Sequence, residues 1–232
     1  MGTLLLIRHG QASYGEADYD RLSARGQEQA RALGRFLASV RVHHVFVGPL
    51  RRHQQTLAGA VEGAAGGMPE ATTLDELSEY PAFELLQHFM PRLVAEDPRF
   101  AELTKTPTRE LANAAFHTML GKWARDEWRV DGVEHVEAFA DRVRRGLDQV
   151  VREVKSGATA AVFTSAGPIG VAIGLVFGAS PHHMVRTSIV VRNASISELK
   201  FRSHEFDWHP ERVSLVTFNQ THHLPPELHT EY

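Results

Sequence analysis

The chain has 232 residues, with 25 Lys and Arg against 28 Asp and Glu, a formal net charge of −3 and no cysteine. That length buries a full core as one domain with room for an insertion. With no basic block a nucleic-acid reader is excluded, and without cysteine so are a disulfide framework, a thiol nucleophile and a thiolate metal site.

The first element is the apolar run Leu4-Leu5-Leu6-Ile7, which stops at Arg8-His9-Gly10. It is too short for a secretory signal and lacks a basic flank, and no membrane segment is found along the chain. Such a run suits a strand buried on both faces of a parallel sheet, and ligands of such sheets bind at the carboxyl ends of the strands. Arg8 and His9 then stand at one of those ends. A fixed guanidinium beside an imidazole that can accept phosphorus is what phosphoryl chemistry requires, and Gly10 lets the backbone come close to a phosphate. A polar turn containing glycine ends many strands that carry no chemistry, so the tripeptide alone does not decide.

Ala30, Leu33, Leu37 and Val40 recur at helical spacing, with Ser23 placed to cap the amino end. His44-Val45-Phe46-Val47 is a second strand, and Gly48-Pro49 turns it into a helix reaching about Glu62. Arg52 falls in the first turn of that helix. The free N–H groups there favour an anion, so Arg52 can converge with Arg8 on one phosphate, leaving Arg51 at the surface. Gly63 to Gly67 form a loop, and Thr72-Thr73-Leu74 a brief strand leading to Asp75-Glu76. From about Leu77 the pattern becomes helical, over Phe83 to Val94 and Arg109 to Trp128, with Phe89, Phe116, Trp123 and Trp128 as packing residues. Val136, Phe139, Val143, Leu147, Val150 and Val154 mark a long amphipathic helix that Gly157 closes. The buried strand Ala160 to Thr164 follows. Helices at Pro168 to Phe177 and after Ser180-Pro181 come next, then strands near Ile189 to Arg192, Ser197 to Phe201 and Val213 to Phe218.

Three segments carry a family resemblance: Arg8-His9-Gly10-Gln11 with Ser13, Leu22-Ser23-Ala24-Arg25-Gly26-Gln27-Glu28-Gln29-Ala30, and Gly48-Pro49-Leu50-Arg51-Arg52-His53-Gln54-Gln55-Thr56. Together they resemble the histidine phosphatase superfamily, the phosphoglycerate-mutase-like proteins, closely over the first third of the chain and more loosely over the last hundred residues. The resemblance implies a three-layer α/β/α sandwich with a mostly parallel mixed sheet, as a single domain over residues 1–232 in which 77–131 are a helical cap insertion. It implies a metal-independent phosphomonoester hydrolase acting through a phosphohistidine, without a cofactor, on a small phosphorylated metabolite or a phosphoprotein; the absence of cysteine fits a cytoplasmic protein. On this reading His9 is the nucleophile, and Arg8 and Arg52 clamp the phosphate with Gly10. Glu76 of Leu74-Asp75-Glu76 donates the proton, with Glu79 in reserve. Nothing in the pattern sets an oligomeric state.

The chain departs from the family at the end of its fourth strand. Where the family has Ser-His-Gly-Gly-Val-Ile, this sequence reads Thr164-Ser165-Ala166-Gly167-Pro168-Ile169, which puts Ser165 at the histidine position, or Ala166 if the register shifts by one. The neutral hydroxyl of Ser165 is then the remaining phosphate contact. Losing one charge-assisted donor costs on the order of 100- to 1000-fold in turnover, which describes a weakened enzyme. His53, where the family usually has alanine, or His182, His183, His222 or His223 could supply another imidazole, and His223 is the preferred candidate. The alternative is a non-catalytic pseudophosphatase that binds a phosphate ligand. A phosphoglycerate mutase ranks last, because Tyr14 to Asp20 lacks the mutase segment. The adjacent pairs His43-His44, His182-His183 and His222-His223 do not make a metal site, since neighbouring residues of a strand face opposite sides and no His-Glu-x-x-His helix is present.

Overall fold

A computed structural model describes the chain apart from residues 14, 15, 17, 66, 107, 203–207, 210, 231 and 232. Tyr14, Gly15 and Ala17 of the segment that differs from the mutases, and Gly66 of the expected 63–67 loop, lie outside the described residues. The elements in chain order are β1 (Gly2–Arg8), α1 (Ala24–Leu37), β2 (His44–Val47), α2 (Arg51–Gly63), β3 (Ala71–Thr73), a 3-10 turn (Asp75–Leu77), α3 (Ala82–Glu96), a second 3-10 segment (Pro98–Thr104), α4 (Arg109–Ala124), α5 (Val136–Glu153), β4 (Thr159–Thr164), α6 (Ala166–Phe177), α7 (Pro181–Ser188), β5 (Ile196–Phe201), β6 (Val213–Gln220) and a last 3-10 turn (Pro226–Leu228).

Among the described residues six strands form one sheet in the order β3-β2-β4-β1-β5-β6, with β5 antiparallel to both of its neighbours and the pairs among β1 to β4 parallel. β1 lies inside the sheet, in register with β4 from Thr3↔Thr159 to Arg8↔Thr164. Successive side chains of a strand face opposite ways, and the two cores follow that rule. Leu5 and Ile7 pack with Val45, Val47, Ala161 and Phe163 against Leu33, Leu37 and Ala60 of α1 and α2. Leu4 and Leu6 pack with Phe46, Ala160 and Val162 against residues of α5 and α6. The result is a three-layer α/β/α sandwich. Ser23 caps α1 as expected, accepting from Gly26 N at 3.1 Å.

The described residues of 77–131 share the core of the sheet and α5. Phe89, Leu93, Met119, Trp123 and Trp128 belong to the same cluster as Phe139 of α5 and Leu4 of the sheet. The strand expected near Ile189 to Arg192 is instead a turn between α7 and β5. Val190 there is 58% exposed, and the backbone is held by Asn219, which accepts from Arg192 N and donates to Val190 O at 2.7 Å each. No helix among the described residues is long and apolar enough to cross a membrane.

Candidate active site

The carboxyl ends of β1 and β4 lie side by side, because His9 N donates to Thr164 O at 2.9 Å. His9 is 4% exposed. Its Nδ1 lies 2.7 Å from the Gly10 carbonyl, which can only accept, so Nδ1 carries the proton. Nε2 is then left with its lone pair, which faces the Arg52 Nε–H at 3.1 Å. Burial, reinforced by Arg52 and Arg8, holds the His9 pKa well below the usual imidazole value, so the ring is neutral.

Arg52 enters from the first turn of α2 and is 8% exposed. Besides His9 it reaches Asp20, whose Oδ1 accepts from NH1 at 2.6 Å, and its guanidinium lies 5.7 Å from the centroid of the Tyr19 ring. Phe83 of α3 meets Tyr19 edge-on with centroids 5.0 Å apart, so the amino end of that helix leans toward the site. Arg51 points outward, ion-paired with Asp18. Arg8 is anchored by donating from NH1 to Val191 O, and burial is the main cause of its lowered pKa, with Glu79 opposing.

The motif residues around these groups hold backbone. Gly10 N donates to Thr56 Oγ1 at 3.0 Å, and Thr56 Oγ1 donates to Arg52 O at 2.7 Å, which ties the β1 loop to α2. A Cβ on Gly10 would come 2.5 Å from the Gly26 carbonyl oxygen of α1. The expectation that Gly10 opens backbone to a phosphate is therefore corrected. Its N–H is engaged by Thr56, and its missing side chain makes room for α1. Gln55 Oε1 accepts from Leu22 N at 2.7 Å, and Gln29 Oε1 accepts from Gln11 N at 2.7 Å.

The carboxyl group at the site is that of Glu79, and this corrects the assignment of Glu76. The 3-10 turn at Asp75–Leu77 packs Glu76 against Gly146 of α5, while Arg142 NH1 donates to the Glu76 carbonyl at 2.8 Å. The same turn is fixed from the sheet by Thr164 Oγ1, which donates to Leu77 O at 2.6 Å. The chain then turns Glu79 toward the amino end of α6. Its carboxyl accepts from Gly167 N at 3.2 Å and Tyr80 N at 3.1 Å, against a glycine whose Cβ would overlap it. Burial raises the Glu79 pKa, partly offset by Arg52, these two N–H groups and Arg8. The signal was in the sequence, since Leu77-Ser78-Glu79 has the same Leu-x-Glu spacing as Leu74-Asp75-Glu76.

Ser165 is fully buried at the amino end of α6, one residue past Thr164, whose carbonyl accepts from His9 N. Of the histidines proposed to fill its place, His53 is the one that reaches the site: its Nε2 lies 2.6 Å from Ser165 Oγ, and its ring centroid 5.7 Å from that of His9. His223, the preferred candidate from sequence, packs instead on Phe36 of α1 with centroids 5.5 Å apart. His182 and His183 lie on α7. Among the described residues no group of three or more His, Asp or Glu is arranged to hold a metal ion.

Two basic side chains, a neutral imidazole whose Nε2 lone pair accepts from one of them, and a carboxyl with a raised pKa thus converge where β1 and β4 end. Comparison with solved structures finds similar folds. A phosphoserine phosphatase variant of Entamoeba histolytica bound to phosphoserine aligns with a TM-score of 0.63 at 18% identity, covering 97% of this chain and 100% of that one. The mycobacterial glucosyl-3-phosphoglycerate phosphatase gives 0.63 at 19% identity, covering 94% and 99%. A phosphoglycerate mutase of Bacillus anthracis gives 0.62 at 18% identity, covering 94% and 92%. No curated protein sequence matches. The family model for the histidine phosphatase superfamily, branch 1, matches residues 4–213, and the chain belongs to that superfamily.

Proposed function

We propose that this protein is a metal-independent phosphomonoester hydrolase working through a phosphohistidine. The observation that carries this reading is the state of His9: neutral, with its proton on Nδ1 and its Nε2 lone pair set beside Arg52. An arriving phosphate draws the Arg52 N–H groups to its equatorial oxygens beside Arg8, and the Nε2 lone pair this frees attacks phosphorus as the ester P–O bond breaks. Glu79, its pKa raised by burial, gives a proton to the leaving alkoxide. Water then attacks phosphorus and yields a proton to the Glu79 carboxylate. The P–N bond breaks, releasing inorganic phosphate and neutral His9.

The nucleophile lies deep, at 4% exposure, which favours a small phosphorylated metabolite over a phosphate on a folded protein surface. The phosphatases compared above are named for phosphoserine and glucosyl-3-phosphoglycerate, also small esters. A metabolite phosphatase without cysteine suits the cytoplasm, with neither nucleic acid nor membrane as a partner. One observation favours a second reading, a phosphate-binding pseudophosphatase: Ser165 stands where the family carries histidine.

Single-turnover trapping with a radiolabelled aryl phosphate in excess chelator tests the choice. The expected result is an acid-labile label on the native chain, absent from His9→Ala, followed by phosphate release. A folded native chain that binds inorganic phosphate but acquires no label selects the second reading.

A further inference from the structure

Ser165 is the amino-terminal cap residue of α6, yet its hydroxyl makes no bond to the first turn of that helix. It is turned instead to His53, with Oγ 2.6 Å from Nε2. Both side chains are 0% exposed. His53 follows Arg52 in α2, and the far side of its ring faces the Gly48 backbone, where any Cβ would strike Nδ1. A fully buried imidazole is costly as packing alone, since an apolar side chain of that size would need no polar partner. Its Nε2 is aimed at the hydroxyl of the residue that follows Thr164, whose carbonyl accepts from His9 N, and the ring itself lies 5.7 Å from that of His9.

We infer that His53 and Ser165 form one composite donor to the phosphoryl group: His53 is a positioning residue that holds Ser165 Oγ from α2, and Ser165 offers its proton to a phosphoryl oxygen. An imidazole delivered from α2 thereby takes the place of one delivered from the end of β4. Burial and the neighbouring Arg52 lower the His53 pKa to about 3, so the neutral ring has a single N–H to place. With that proton on Nε2, the ring donates to Ser165 and frees the hydroxyl proton for the pocket. An arriving phosphoryl dianion favours this arrangement, because it accepts that proton. The step from hydroxyl to phosphate rests on the phosphatase reading for turnover, but not for anion binding.

The experiment therefore has two readouts: steady-state hydrolysis of p-nitrophenyl phosphate, and calorimetric titration with inorganic phosphate. The variants are His53→Ala, His53→Gln, Ser165→Ala and the double variant His53→Ala with Ser165→His, each checked for folding by thermal denaturation. His53→Ala and Ser165→Ala are expected to lower kcat by about 100-fold with KM changed less than about threefold. His53→Gln, whose amide N–H can still reach Ser165, retains kcat to within about tenfold. The double variant moves the imidazole back to β4 and recovers at least about tenfold over His53→Ala.

Folded His53→Ala with native kcat overturns the inference, as does a double variant no better than His53→Ala, since the ring is then only filler. If His53→Ala does not fold, Ser165→Ala and His53→Gln decide. A native-like Ser165→Ala overturns the inference, and the 100-fold loss beside a working His53→Gln supports it. If the native chain has no turnover, the phosphatase reading fails separately and the titration decides. Phosphate affinity that falls about tenfold in both alanine variants and returns in the double variant supports the composite donor. Unchanged affinity overturns it.

Discussion

Burial moves the two reacting groups of the site in opposite directions. It keeps His9 neutral and raises the Glu79 pKa, which favours the states a nucleophile and a proton donor need in the first step. Because the acid form of Glu79 is the active one, kcat on esters with poor leaving groups falls as pH rises through its elevated pKa. His9, lowered, keeps its lone pair well into the acid range. Glu79→Gln is expected to lower kcat on alkyl phosphates by about 100-fold or more and on p-nitrophenyl phosphate by less than about tenfold. Glu76→Gln should stay within about threefold of native on both, because its Cβ packs on Gly146 of α5 while Glu79 holds the place at the amino end of α6. Parallel pH profiles with the two substrates check both statements. If Glu76→Gln shows the leaving-group dependence instead, Glu79 is not the acid.

At the scale of elements, the site depends on how closely α1 and α2 approach. A Cβ on Gly34 of α1 would overlap the Ala60 carbonyl oxygen of α2. Gly34→Ala gains about 1 kcal/mol in helix propensity. Overpacking against rigid backbone costs about 1–3 kcal/mol, and more where nothing can give, so the contact decides the sign. The expected net loss of about 1–2 kcal/mol lowers Tm by roughly 2–8 °C. Because α2 carries Arg52 and His53, kcat should fall as well. An unchanged Tm would show that the helices separate without strain.

The elements also show what was legible in the sequence. The buried run Leu4 to Ile7, the Ser23 cap and Arg52 in a first helical turn rest on local signals, and the structure has all three. Glu76 and Glu79 share one motif spacing, and what separates them is a 3-10 turn pinned by Arg142 and Thr164, contacts of residues far along the chain. His53 was visible as an anomaly where the family has alanine. Its facing toward Ser165, and that of His223 toward Phe36, are set by helix docking on the sheet, which no local pattern encodes. Ile189-Val190-Val191 has the composition of a strand, but it forms a turn braced by Asn219.

Across the whole molecule, buried imidazoles make the fold sensitive to acid. His53 is lowered to about 3 and His223 to about 4, with His9 also well below its usual value. These folded values lie below the unfolded one near 6.5, so the unfolded chain binds more protons in between. The stability they contribute is present above about pH 6.5 and is lost as pH falls toward 3. His53 alone accounts for about 2 kcal/mol lost at pH 5. Glu79, raised, acts in the opposite sense, but it is one group against three. Urea unfolding should therefore give a lower free energy at pH 5 than at pH 7, with a shallower pH slope in His53→Gln. A pH-independent free energy would mean that these rings are not buried neutral.

The position of β1 also bears on synthesis. Its sheet neighbours are β4 and β5, which begin at Thr159 and Ile196. At about 5–20 residues per second, Leu4 to Ile7 wait roughly 10–40 s after leaving the ribosome before the second partner strand exists. For that interval an apolar, strand-forming segment has both edges open, the setting in which aggregation competes with folding. The segment that later presents the nucleophile is thus the one a growing chain most needs shielded, and a holdase bound to nascent β1 would act there.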